Sequence, residues 1–279
     1  MRKGLRLTLA PAALAALTLA AGAGSSPAQS MAYEPTQGEA FRYRTATSLV
    51  VTQQVLEREN HYTLESSGLV RLTLLSPGPR QLWRLGFDEL TLRIQGAFPT
   101  PRTEGLRGTV VTLATTPQGV VLDAIASGIV TPGLGSQYVE RAAAAFLPHL
   151  PTGAAPPGVT WTDTLTVTEV LRGVTAEVRT VVRFTVGDTA ALAGRPVIPV
   201  EYRGDIEVGG SGTVDGSRIS LEGSGEVRGS YLYDPAEELF ALHEQEQVLE
   251  STLFLMDSDR GSVAIPSRQT LSARAERLY

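Results

Sequence analysis

Few residues in this chain are of a type and spacing that does chemistry. Three histidines, His61, His149 and His243, lie far apart, and no two stand at i, i+2 or i, i+4, the spacings that put imidazoles on one metal. His243-Glu244 sets a potential general base beside a carboxylate. Adjacent strand residues point to opposite faces, so we read the pair as structural. Asp257-Ser258-Asp259-Arg260-Gly261 begins like a calcium loop, which requires glycine at its sixth position and an acid at its twelfth; Ser262 and Arg268 occupy them. A hairpin turn is the better reading. Ser211 and Ser224 are flanked by glycine but have no helix behind them, unlike the elbow that presents a catalytic serine. The G-x-G fragments at Gly210 and Gly223 miss dinucleotide spacing by one residue, because the third glycines are Gly216 and Gly229. With Lys3 the sole lysine, no phosphate-loop Gly-Lys exists. Glu237-Glu238, and Glu244 with Glu246, are acid pairs of the kind that solvated strand faces carry. We expect no enzyme, no metal and no cofactor.

What remains is shape. Gly210-Ser211-Gly212-Thr213-Val214-Asp215-Gly216-Ser217 is followed by Gly223-Ser224-Gly225-Glu226-Val227-Arg228-Gly229-Ser230. Asp-Gly is a favoured two-residue hairpin turn because both central positions require positive φ. Folding there pairs Gly212 with Ile219, Gly210 with Leu221, Val208 with Gly223, Ile206 with Gly225, Gly204 with Val227 and Tyr202 with Gly229. Glycine opposite a bulky residue marks a bend or a close approach. Such a face either packs against Ala142–Ala145 of a helix or leaves an apolar hollow. Tyr202, Ile206, Ile219, Leu221, Tyr231 and Phe146 are the candidate ligand-binding residues of that hollow. On the polar face, Arg203 with Glu226 and Asp205 with Arg228 are diagonal partners.

The elements that must position these residues are mostly strands. Phe41–Leu56, Tyr62–Leu75, Gln81–Ile94, Gly105–Thr115 and Val120–Ile125 are separated by turns such as Ser76-Pro77-Gly78-Pro79. Trp161, Leu165 and Val167 alternate with threonines, Ala176 to Val186 continues the period of two, and Leu192–Val208 leads into the glycine hairpin. Leu239–Met256 and Ser262–Arg277 are the last strands, about eleven in all. One helix is expected: Ser136 caps it, it runs to Leu147, and Pro148 stops it. The fold class is therefore mainly β, a large curved antiparallel sheet, half-barrel or barrel-like, wrapped around one central helix. Residues 29–279 read as one domain whose halves, 38–134 and 159–279, are joined by helix 136–147 and a Pro/Gly connector, 148–158.

Residues 1–28 read as a secretory signal: Arg2, Lys3 and Arg6, an apolar run from Leu7 to Ala21, and small residues offering cleavage after Ala23 or Ala28. No later apolar run is long enough for a transmembrane helix. The chain has no cysteine, so disulfides, thiol catalysis and a lipidated-cysteine anchor are excluded. Its 29 acids outnumber its 24 bases, three of which lie in the signal, and this acidity argues against nucleic acid. The expected location is periplasmic or extracellular.

Gly38-Glu39-Ala40-Phe41-Arg42-Tyr43 and Pro156-Pro157-Gly158-Val159-Thr160-Trp161-Thr162-Asp163-Thr164 resemble segments of exported β-rich bacterial proteins. The overall plan is similar to the periplasmic half-barrels that carry lipids or lipoprotein acyl chains. That resemblance implies a curved sheet around apolar helical or loop segments and carries over no site residue. The leading expectation is a non-catalytic envelope protein that binds a lipid or other hydrophobic ligand, or an envelope protein partner. An outer-membrane β-barrel and a hydrolase with dispersed residues are the alternatives.

Overall fold

The computed structural model describes residues 30–55, 57–96, 108–128, 136–171, 174–214, 217–257 and 261–279. The expected signal lies outside them. The strands are β1 (Ala40–Val55), β2 (Arg58–Ser76), β3 (Gln81–Gln95), β4 (Val110–Thr115), β5 (Val121–Ser127), β6 (Thr160–Leu171), β7 (Val174–Val186), β8 (Ala190–Leu192), β9 (Arg195–Val214), β10 (Ser217–Asp234), β11 (Leu239–Asp257) and β12 (Gly261–Leu278). The helix, α1, spans Ser136–Ala144. One 12-stranded sheet has the order β5-β4-β3-β2-β1-β12-β11-β10-β9-β7-β6, with β8 beside β9. Every pairing is antiparallel, and the first and last strands meet in the middle of the sheet. The large curved antiparallel sheet is as expected, and it is open between β5 and β6. β9 has 20 residues, roughly 65 Å at ~3.3 Å per residue.

All six hairpin pairs expected across Asp215-Gly216 are present, and Val214 pairs with Ser217. The turn residues themselves lie outside the described residues. The glycines mark the close approaches expected of them, made to neighbouring strands rather than to the helix. The helix packs on β4 and β5, across the sheet from the glycine hairpin. A Cβ on Gly204 would strike the carbonyl of Val181, and one on Gly225 the carbonyl of Val248; at Gly223 it would lie 2.7 Å from the oxygen of Glu250. Those atoms belong to the neighbouring strand's backbone. The glycines let β7, β9, β10 and β11 curl tightly against one another.

The core fills one end of the inner face. Phe41 and Tyr43 (β1), Val70 and Leu72 (β2), Trp83 and Leu85 (β3), Val200 (β9), Tyr231 (β10) and Phe240 (β11) are buried there. Met31 and Tyr33 from the segment before β1 plug this end, together with Val139 and Ala143 of α1 and Phe146, Leu147 and Leu150 behind it. Phe146 stands edge-on to Tyr43, ring centroids 5.2 Å apart, and 5.5 Å from Phe240. The helix ends three residues before the expected Leu147, because Phe146 and Leu147 turn into this core.

A plug without regular structure carries carbonyls that need partners once buried. Wall tyrosines supply them. Tyr233 donates to Ala32 O at 2.6 Å, Tyr231 to His149 O at 2.7 Å, and the plug's own Tyr33 to Pro148 O at 2.7 Å. Gln81 donates to Tyr33 O. Burial pushes the Tyr33 and Tyr231 hydroxyls well above the usual tyrosine range, which keeps them protonated donors.

Candidate functional site

Each histidine is engaged separately. His61 lies against Thr52 and Glu59 near the far end of β2. His149 Nδ1 is 3.2 Å from Asp163 Oδ2. His243 points inward to Tyr202, while its neighbour Glu244 points outward to Arg274, as alternation predicts. Burial lowers His243 to a pKa of about 4, so this imidazole is neutral. Among the described residues no group of acids and histidines is placed to hold a metal. Asp257 pairs with Gly261, so the calcium-like sequence forms a hairpin end; residues 258–260 lie outside the described set.

Of the six expected pocket residues, all but Ile219 lie in or against one core. Phe146, Ile206 and Tyr231 are buried core residues. The hydroxyl of Tyr202 is held by His243 at 2.8 Å, and its ring covers Gly229. Leu221 is partly buried and packs against this core, and Ile219 lies two residues farther along β10, half-exposed.

Two surfaces do stand out. The first is the far end of the inner face. Cross-strand pairing lines up Val174, Gly212, Ile219, Leu255 and Val263 in one row, and Ala176, Gly210, Leu221, Leu253 and Ile265 in the next. None of these residues is buried. The ends of β9–β12 form a tongue that projects past β1, whose pairing with β12 stops at Gln53–Ser267. Its other face is also uncharged over Gly209–Val214, Ser251–Met256 and Ser262–Ser267. Arg218 and Asp257 are the charges within the described residues of these hairpin ends beyond Leu221, both next to the tips. Val50, Met256 and Val263 are large apolar side chains left exposed in this region.

The second surface is the outer face near the core, where a polar groove of about 1090 Å³ crosses β9 to β12 and β1 to β3. Arg93, Arg203, Arg228, Arg274, Glu65, Glu201, Glu244 and Glu246 line it among serines and threonines. Arg228 is engaged by Glu246, on the side away from the expected partner Asp205.

An acid–arginine cluster closes the core end, and sequence reasoning missed it. Arg277 faces inward, its guanidinium 4.7 Å from the Phe41 ring and 4.8 Å from Tyr279. Arg277 lies 3.9 Å from buried Asp234 and 3.3 Å from Glu237, which Arg195 also grips at 2.8 Å. These arginines hold the Glu237 carboxyl below its usual range. The available signal was a charge at an inward position of β12.

No protein-family model and no curated protein matches this chain. Among solved structures it is set beside outer-membrane β-barrels. Neisserial surface protein A is 8% identical over 86% of this chain and 99% of its own, with a TM-score of 0.22. OccK5 of Pseudomonas aeruginosa is 5% identical over 88% and 100%, TM-score 0.28. A BenF-like porin from Pseudomonas fluorescens is 8% identical over 87% and 100%, TM-score 0.25. Scores this low establish neither a shared topology nor a shared function.

The leading expectation is corrected. Five of the residues assigned to an apolar pocket lie in or against the packed core, and Ile219 lies farther along β10. By their descriptions, the solved structures set beside this chain are a neisserial surface protein, OccK5 and a BenF-like porin rather than lipid carriers.

Proposed function

We propose that the chain works at the outer membrane, entering lipid by the far ends of its long hairpins while its packed, charged end stays in water. This develops the outer-membrane alternative. The observation that carries it is the tongue, apolar on its inner face and uncharged on the other over Ser251–Met256 and Ser262–Ser267. Six residues of strand reach about 20 Å, close to the height of the apolar band of membrane barrels. Lipid suits a surface with apolar rows on one face and uncharged β11 and β12 stretches on the other better than a one-sided partner does, with Arg218 and Asp257 near its tips. Strand pairing within the tongue satisfies the backbone groups of β10 and β11 that lipid would leave unpaired. Pro266 stands where β1 no longer covers β12, which removes one donor from that edge. The rows containing Arg203, Arg228 and Glu246 belong in water, because charges on a lipid face cost about 2–4 kcal/mol each at midplane for Arg or Lys.

Expression of the full chain in a host with two membranes tests the reading. The expected result is recovery in the outer-membrane fraction, resistant to high salt and released by detergent. Recovery as a soluble periplasmic protein overturns it.

A further inference from the structure

We propose that Arg183 and Arg203 form a binding site for a small phosphate-type anion on the outer face, independent of the hairpin tongue. Strand pairing sets Thr162, Arg183, Arg203 and Arg228 side by side across β6, β7, β9 and β10. Like charges directly opposite one another destabilise a sheet unless something neutralises them. Arg228 has that relief from Glu246. Arg183 and Arg203 have no ion pair among the described residues and are both exposed. They border a hollow of about 970 Å³ together with Thr162, and a smaller one of about 410 Å³ together with Thr185. Arg203 also lines the larger groove, so the three hollows meet at its side chain. Two guanidinium planes with threonine hydroxyls beside them offer the charge and the forked donors that bind phosphate oxygens.

The acids of the adjoining rows set the strength of the site. Glu201, Asp205 and Glu226 share the hollows with the two arginines and compete for them. A site for an anion therefore responds in opposite directions to two kinds of substitution: removal of an arginine weakens binding, and removal of a neighbouring carboxylate strengthens it. A merely solvated charged face shows neither response.

The experiment uses the full chain and two probes, inorganic pyrophosphate followed by calorimetry and phosphatidylglycerol vesicles followed by co-sedimentation. Pyrophosphate binding identifies a free anion as the ligand source. Binding to vesicles alone, lost in R183Q/R203Q, identifies a lipid headgroup. In either arm the double variant R183Q/R203Q binds on the order of tenfold more weakly or worse, E226Q binds more tightly, and R84Q, at a distant arginine of the outer face, is unchanged. Binding weakens with added salt. A variant with Leu255 and Val263 replaced by serine keeps pyrophosphate binding, which separates this site from the membrane reading. No binding of either probe, or binding that R183Q/R203Q leaves intact, overturns the proposal. The arginines are exposed, and a far-UV spectrum and melting temperature confirm that the variants fold.

Discussion

The Tyr202 hydroxyl lies 2.8 Å from His243 Nε2, and the same tyrosine ring lies over Gly229, where a Cβ would fall 2.5 Å from the ring's outer atoms. One side chain thus joins β9, β10 and β11. A larger residue at 229 would displace the ring and with it the partner of a buried imidazole.

That imidazole makes stability depend on pH. Burial depresses the folded pKa of His243 to about 4, while an unfolded histidine titrates near 6.5. Tyr202, Gln245, Tyr231, Phe240 and Ala275 surround or pair with it, and none of them is a carboxylate that would stabilise its charge. Between these two values the unfolded chain binds a proton that the folded chain does not, so stability is lost as pH falls from about 6.5 to about 4. The loss is on the order of 3 kcal/mol. Thermal unfolding from pH 7 to pH 4 should show a falling midpoint, and His243→Gln should flatten that part of the curve. An equal slope in the variant would assign the effect to other groups.

Glycine replacements discriminate curvature from flexibility. Gly225→Ala drives a Cβ into the carbonyl of Val248, and about 1–3 kcal/mol of stability should be lost. Gly209→Ala meets nothing within 4 Å and should be close to neutral. Urea unfolding of the two variants checks this; equal losses would mean that chain flexibility, rather than close strand approach, explains the glycines.

The Arg277–Asp234 pair should behave as a unit. Arg277→Met takes one of two guanidinium neighbours from the buried Asp234 carboxylate, Arg195 staying 3.6 Å away, and should destabilise by about 1–3 kcal/mol. Adding Asp234→Asn should recover part of that loss. Strict additivity in the double-variant cycle would show that the two groups are not coupled.

Membrane association should depend on the tongue rather than on the core. Replacing Leu255 and Val263 with serine should abolish co-fractionation with membranes while moving the melting temperature little, since both side chains are partly exposed. Phe146→Ala should do the reverse in kind: it opens a cavity beside Tyr43 and Phe240 and should cost about 3–5 kcal/mol. Loss of membrane binding only in the core variant would contradict the assignment.

Much of the sheet was legible because its code is local. Alternation in Trp161–Val167 and Ala176–Val186, and the Asp215-Gly216 turn signal, were enough to place β6, β7 and the register of β9 with β10. The opposite directions of His243 and Glu244 followed from the same period of two. The plug at Met31 and Tyr33 was not legible, because that segment has no periodic pattern and is held by single hydrogen bonds from distant tyrosines and Gln81. The inward direction of Arg277 depends on Asp234 and Glu237, more than thirty residues away in the chain.

By itself, the sequence determined an antiparallel strand protein without cysteine chemistry or an assembled metal motif, and it determined which residues share a face of each strand. Those properties depend on neighbours two to twenty residues apart. The tertiary structure alone decided that β1 and β12 meet at the centre of the sheet, which neighbouring backbones the glycines approach, and that Leu221 packs at the edge of the core shared by Tyr231 and Phe146 while Ile219 lies beyond it. Burial depends on what the rest of the chain brings to a position. An alternating strand shows its apolar side, and only the packed molecule shows how far along that side the cover extends.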